Sequence, residues 1–267
     1  MERPSWAPED IDLERPSVAR VYDFYLGGSH NFAVDRELGR RVIETFPLLP
    51  KTLQENRAFL RRAVRFCVEA GIRQFLDIGS GIPTVGNVHE VAQQVDPTIK
   101  VVYVDIDPVA VAHSRAILKG NEYATAIRAD FRQPEVILSH PELQRLIDLR
   151  QPVALLLVAL LHFFPDTEEV QRTIARFRDA LASGSYLVIS HASADTQPTP
   201  LKVAELYARS GTPMAMRTKA EIARFFEGFE LVEPGLVLGL DWRLEPEEAV
   251  DDNPERHSGY CGVGKKP

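Results

Sequence analysis

Residues 73–84 read RQFLDIGSGIPT, and the fold is decided there. RQFLDI has the apolar density of a strand buried in a sheet, and Gly79 and Gly81 follow it at once. Glycines at that place let the backbone turn tightly and come close to a ligand. Outward from this turn the chain alternates between strand and helix. Thr84 caps a helix in TVGNVHEVAQQV (84–95), and KVVYVD (100–105) is a second strand. Asp107-Pro108 then supplies a capping acid and a first-turn proline for the helix VAVAHSRAIL (109–118). A third strand, YATAIRA (123–129), precedes Asp130, and a helical stretch spans about 134–148. VALLLVALL (153–161) reads as a strand buried on both faces. Asp166 to Glu169 form a capping box for a helix that ends at Gly184, and SYLVIS (185–190) is a fifth strand. Strands separated by helices predict a parallel sheet covered on both sides.

Beyond His191 come a Pro-rich loop, a helix near 200–210, and a capping box from Thr218 to Glu221. The strand-like segments FELVEPGLVLG (229–239) and SGYCGVG (258–264) follow, joined only by a loop rich in Pro, Asp and Glu. A hairpin is the natural join, adding an antiparallel strand at the end of the sheet. Upstream, residues 1–70 are a helical extension placed to act as a lid, before a cofactor-binding unit over 71–267. In ARVYDFYLGGSHNFAVDRELG (19–39), Tyr22, Asp23, Asn31 and Phe32 flank the Gly27-Gly28 break, and Asp35 caps the next helix. A long amphipathic helix carries Leu53, Phe59, Leu60, Val64 and Cys67 on one side and is stopped by Gly71. Arg57, Arg61, Arg62 and Arg65, at helical spacing, read as its solvated face.

Three acidic positions, each just past a strand, carry the chemistry. Asp77 opens the glycine turn, Asp105 ends the second strand, and Asp130-Phe131 follows the third. A carboxylate at Asp105 can accept from two ribose hydroxyls, and one at Asp130 suits an exocyclic adenine amine beside an aromatic ring. Ligands of open α/β sheets lie at these strand ends. A dinucleotide site would need G-x-G-x-x-G, but the third glycine is missing and Pro83 stands in the loop. Asp77 would repel a pyrophosphate and attract an amino group, so a sulfonium nucleoside is the better ligand.

The segments ARVYDFYLGGSHNFAVDRE, NRAFLRRAVRF, GIRQFLDIGSGIPT, NVHEVAQ, VVYVDIDPVAVAHSRAIL, ADFRQP and the terminal GYCGVGKKP cover most of the chain. Through them it resembles the class I S-adenosylmethionine-dependent methyltransferases, and more narrowly the bacterial DUF574 or Methyltransf_19 family. The resemblance implies an α/β, Rossmann-like sheet of order 3-2-1-4-5-7-6 with the last strand antiparallel. It implies S-adenosylmethionine as cofactor, with S-adenosylhomocysteine as product. Asp77, Gly79 and Gly81 would surround the methionine moiety, Asp105 the ribose, and Asp130 with Phe131 the adenine. Ser80, Ile106, Ala159, Tyr22 and Asn31 complete the expected cofactor set. Pro83 departs from the third glycine common in the class, so a locally different loop is expected.

Methyl transfer needs alignment and exclusion of water, and a base only when the acceptor must lose a proton. His162, after the fourth strand, is the first candidate base, Tyr22 a second catalytic candidate, and His191 a weaker one. The helix near 200–210 with Met214 and Met216 either closes an acceptor pocket or simply packs in the core. Net charge is −7, from 31 basic and 38 acidic residues, which argues against nucleic acid as acceptor and for a small molecule. The segment after the fourth strand also lacks the [DN]-P-P-[YF] pattern of nucleic-acid amino methyltransferases. Spacing supports no metal site. The longest apolar run is too short for a membrane helix, the N-terminus is polar, and Cys67 and Cys261 read as reduced core thiols. A cytoplasmic location follows. A non-catalytic protein that binds the same cofactor is the alternative to an enzyme.

Overall fold

The computed structural model describes residue 8 and residues 11–84, 86–244 and 257–267. Strands β1 (Gln74–Ile78), β2 (Lys100–Asp105), β3 (Ala124–Arg128), β4 (Ala154–Val158) and β5 (Tyr186–Ala192) pair in parallel in the order β3-β2-β1-β4-β5. β8 (Gly259–Lys265) runs antiparallel along β5 and pairs on its other side with the short β6 (Glu230–Leu231) and β7 (Val237–Leu238). The expected sixth strand is therefore two pieces. Gly235, at φ +87°, turns the chain between them, and its N–H bonds back to the Val232 carbonyl at 2.8 Å. With that interruption the order is the one expected. The acidic, Pro-rich connection before β8 falls mainly on residues 245–256, outside the described residues.

Alternation along the buried strands sorts the core into two layers. Phe75, Val101, Tyr103, Leu156 and Val188 face α3 (Leu49–Glu69), α4 (Val88–Gln93) and α5 (Pro108–Ile117). Leu76, Ile78, Val102, Leu155 and Ile189 face α6 (Pro134–Leu138), α7 (Pro141–Leu146), α8 (Thr167–Ala180) and α10 (Lys219–Ala223). Each such side chain fully removed from water contributes about 1.5–3 kcal/mol, which holds both helical layers on the sheet. α3 buries Phe59, Leu60, Val64 and Cys67 in the first layer. A separate cluster joins α1 (Val18–Tyr25) and α2 (Ala33–Thr45) to α9 (Thr199–Arg209) through Val21, Tyr25, Val42, Val203 and Tyr207. Both cysteines are buried and free. Among the described residues no helix is long and apolar enough to cross a membrane.

Several local expectations need correction. The cap of α4 is Asn87 rather than Thr84, because Glu90 reaches back to the Asn87 N–H at 2.8 Å while Thr84 N–H donates to Asn87 Oδ1. Asp35 sits inside the first turn of α2, where its carboxylate accepts from Phe32 N–H. The apolar run 153–161 is not one strand, because Ala159 takes φ +53° and breaks it after Val158. Pro141 splits the helical stretch near 140 into α6 and α7, and α8 ends at Ala180, short of Gly184. His191 lies within β5, paired with Tyr260, rather than after it. The arginines of α3 are not a solvated face. Arg62 is buried and donates to the carbonyls of Leu240 and Trp242, while Arg57, Arg61 and Arg65 are half-buried. The C-terminal segment and the loop after β1 pack over that side of the helix and remove it from water.

Candidate functional site

The turn after β1 is pinned from below and from the side. Gly79 N–H donates to the Val104 carbonyl at 2.8 Å, and Gly81 N–H to Asp105 Oδ2 at 2.8 Å. Both glycines are in the left-handed region, at φ +71° and +68°. They differ in surroundings: a Cβ on Gly79 would run into the Leu160 side chain, whereas one on Gly81 meets nothing within 4 Å. Gly81→Ala is therefore expected to cost about 1 kcal/mol for backbone strain alone. Gly79→Ala should cost about 2–4 kcal/mol because overpacking adds to the strain. Urea titration of the two variants checks this, and equal losses would contradict it.

Above the turn opens a groove of about 340 Å³. It brings together Tyr22, Asp77, Gly79, Ser80, Gly81, Asp105, Ile106, Asp130, Phe131 and Ala159. Asn31, expected beside the ligand, does not line it. Its side-chain amide donates to Asp23 Oδ2 at 2.8 Å and the Gly28 carbonyl at 2.9 Å, so it ties the Gly27-Gly28 turn to α1 instead. Gly28 is needed there because a Cβ would collide with the Asp23 carboxylate.

Asp77 and Asp105 are buried at the floor of this groove. Burial pushes the Asp77 carboxyl up to about 7, with Arg57 pulling it down and Asp105 adding to the rise. Among the described residues no hydrogen bond reaches the Asp77 carboxylate. Asp105 is pushed up to about 6, again by burial, against the N–H groups of Asp107 and Gly81 that its two oxygens accept. Ile106, 58% exposed, presents an apolar lip. Phe131 packs on Phe164 and Phe177. Asp130 is clasped by Arg132, with Oδ2 at 2.5 Å from Nη2. Partial burial raises the Asp130 carboxyl, but the Arg132 hydrogen bonds outweigh it and leave the group below its ordinary value.

A second, apolar cavity of about 110 Å³ adjoins the groove. Tyr22, Asn56, Ala159 and Phe163 line both spaces. The junction carries a polar chain. Ala159 N–H donates to Ser190 Oγ (2.9 Å), Ser190 Oγ–H to Asn56 Oδ1 (2.7 Å), and Asn56 Nδ2–H to Tyr22 Oη (3.0 Å). Burial raises the Tyr22 phenol above its ordinary value. His162 lines the apolar cavity, and burial together with the nearby Arg217 pushes it down to about 3. Ala192 N–H donates to its Nδ1 at 3.4 Å, which leaves the proton on Nε2. His191 Nδ1–H points to the Ala192 carbonyl and Nε2 accepts from Arg217 at 3.0 Å. Arg217 also donates to the carbonyls of Leu161 and Phe164, so it clamps the segment after β4 onto β5. Met214 and Met216 line this cavity with Val203 and Tyr207.

Arg57, Asn56, Ser190 and Arg217 were not foreseen as site residues. Asn56 and Arg57 open the segment NRAFLRRAVRF, which by itself gives neither a place at the site, Arg57 reading only as one of four arginines on a helix. Ser190 reads only as the end of a strand, and Arg217 belongs to no motif. Asn56 and Ser190 meet across 134 residues of chain.

Comparison with known proteins extends the geometry to the whole chain. A candidate methyltransferase from Thermobifida fusca YX has a crystal structure that superposes with a TM-score of 0.93 at 45% identity, covering 98% of this chain and 99% of that one. A DUF574 family protein from Streptomyces avermitilis MA-4680 gives 0.92 at 41% identity, over 96% and 99%. A search of curated proteins found no match. Residues 4–267 match the family model described as S-adenosyl methyltransferase. With the glycine turn, the carboxylates at successive strand tips and the sheet order in agreement, the chain belongs to the S-adenosyl methyltransferase family, whose cofactor is S-adenosylmethionine.

Proposed function

We propose that the groove holds S-adenosylmethionine and that the adjoining apolar cavity receives a small-molecule methyl acceptor, making the protein a methyltransferase of the reducing cytoplasm. One observation carries the cofactor half: Asp77, buried beside the glycine turn, has a carboxylate without a hydrogen bond among the described residues. An ammonium group would satisfy it. Arg57, which lines the same groove, suits the carboxylate of the same amino acid. Asp105 accepts the Gly81 and Asp107 N–H groups on separate oxygens and still faces the groove, where it can accept from ribose hydroxyls. Ile106 and Phe131 offer apolar surface to a purine. Arg132 already occupies Asp130, which leaves that carboxylate the least available of the three.

When bound, the cofactor supplies an electrophilic methyl group on a sulfonium. The protein's residues align an acceptor with it and keep water out. The helical extension expected over residues 1–70, of which 1–7, 9 and 10 lie outside the described residues, serves as the lid, since Ser17, Ala19 and Tyr22 form one wall of the groove. Ser17 Oγ–H donates to Asp107, the N-cap of α5, and latches that wall to the sheet domain. The second cavity favours an enzyme over a mere cofactor binder, because a binder needs no space for an acceptor. Asp105→Ala is expected to weaken S-adenosylmethionine binding by roughly 1.5–3 kcal/mol, the cost of losing hydrogen bonds to a charged group. Calorimetry on the folded variant tests this, and unchanged affinity would remove the ribose from that position.

A further inference from the structure

We propose that the methyl acceptor is a compact, uncharged, largely apolar amine, presented by its nitrogen at the Tyr22–Asn56–Ala159 junction of the two cavities. The proposal rests on the methyl-transfer reading above and adds the acceptor's chemical class. Among the described residues that line the apolar cavity, none is Asp, Glu, Lys or Arg. Its apolar walls include Tyr25, Phe46, Val203, Tyr207, Met214 and Met216. An acceptor that bound as an ion would give up its hydration and meet no counter-charge on the walls, since Arg217 lies behind them and is spent on His191 and the carbonyls of Leu161 and Phe164. Carboxylates and phosphates are therefore disfavoured. The same surroundings keep a bound amine unprotonated, the only form with a lone pair to donate.

Nitrogen is favoured over oxygen by the hydrogen bonds around the junction. A hydroxyl or thiol must lose its proton as it attacks. Neither imidazole can take that proton: both His191 nitrogens are engaged, by Ala192 and Arg217, and His162 uses Nδ1 on Ala192 N–H. An amine attacks with its own lone pair. The N–C bond forms as the C–S bond breaks, that bond's electrons stay on sulfur, and the positive charge passes from sulfonium to nitrogen. The pocket's net charge is unchanged, and the surplus proton leaves to solvent on release of the product. Asn56 Oδ1 and Tyr22 Oη, each already accepting one hydrogen bond, keep a lone pair to receive the amine N–H.

The test uses three probes on one skeleton: aniline, phenol and benzoate. Binding of S-adenosylmethionine is first measured by calorimetry, and its failure would sink the cofactor reading itself. On the cofactor-loaded protein, aniline and phenol should bind, with benzoate weaker by roughly tenfold or more. Labelled methyl should pass to aniline alone. Met214→Trp, which fills the cavity, should weaken aniline binding by roughly tenfold while leaving cofactor affinity intact, and that affinity certifies the fold. Benzoate binding as tightly as aniline, methylation of phenol but not aniline, binding of no probe, or aniline affinity untouched in the Met214→Trp protein would overturn the proposal while the cofactor reading stood.

Discussion

Asp77→Asn is expected to stabilise the ligand-free protein by on the order of 2–4 kcal/mol at about pH 8, and to weaken S-adenosylmethionine binding roughly 10- to 100-fold. The two effects share one cause. Burial pushes this carboxyl up to about 7 from its ordinary 3.8, so the folded chain holds a proton that the unfolded chain has released. For a carboxyl raised in this way, its contribution to stability is greatest below about pH 4 and falls as pH climbs toward about 7. Asparagine carries no charge to desolvate and escapes that loss. The ligand pulls in the opposite sense: its ammonium needs the carboxylate, so affinity should drop as pH falls below about 7, and binding near neutrality should expel protons. Urea midpoints at about pH 5 and 8, with calorimetry in buffers of different ionisation enthalpy, measure both slopes. If the asparagine variant kept the wild-type pH dependence, Asp77 would not be the responsible group.

The second large effect lies where α1 meets α2. Asp35→Ala is expected to cost about 3–5 kcal/mol of folding stability, because it leaves a buried charge without its partner. Arg20 and Asp35 are 2% and 0% exposed, with Nε and Oδ2 3.2 Å apart. Asp35 also accepts Ser17 N–H at 2.9 Å and Phe32 N–H at 2.8 Å. Burial raises the Asp35 carboxyl despite those bonds and the arginine. Asp107 lies 4.0 Å from Arg20 and offsets part of the loss. The same variant should loosen cofactor binding, since Ser17 and Ala19 form a wall of the groove. Urea denaturation read together with calorimetry checks this. A loss under about 1 kcal/mol would mean that water reaches Arg20 in solution.

The alternation of strand and helix and the glycine turn below the groove were legible in the sequence, because their signals are local, whereas the sheet order came through the family resemblance. Glycine directly after a strand permits a left-handed turn at no steric cost, and Gly79 and Gly81 both take one. Asp107 and Thr218 cap their helices through bonds spanning two or three residues, as the sequence implies. Local signals also misled where two neighbours compete. Thr84 and Asn87 could each cap α4, and Asn87 wins through Glu90. In the run 153–161 uniform apolarity hides the bend at Ala159, which places that residue between the two cavities.

The site's outer shell was decided by tertiary structure alone. Arg57 and Arg62 share a helix and a residue type, yet one enters the groove and the other is consumed by Leu240 and Trp242. What separates them is the segment packed over each, a fact absent from their spacing. The junction of Asn56, Ser190 and Tyr22 exists because α3, β5 and α1 converge, and no short-range pattern records that convergence. The amino-acid sequence by itself determined the strand–turn–helix rhythm and the carboxylates at three strand tips. Which polar groups meet above them, and which imidazoles keep a usable lone pair, follows from long-range packing, since only burial and closure decide which hydrogen-bond partners remain within reach.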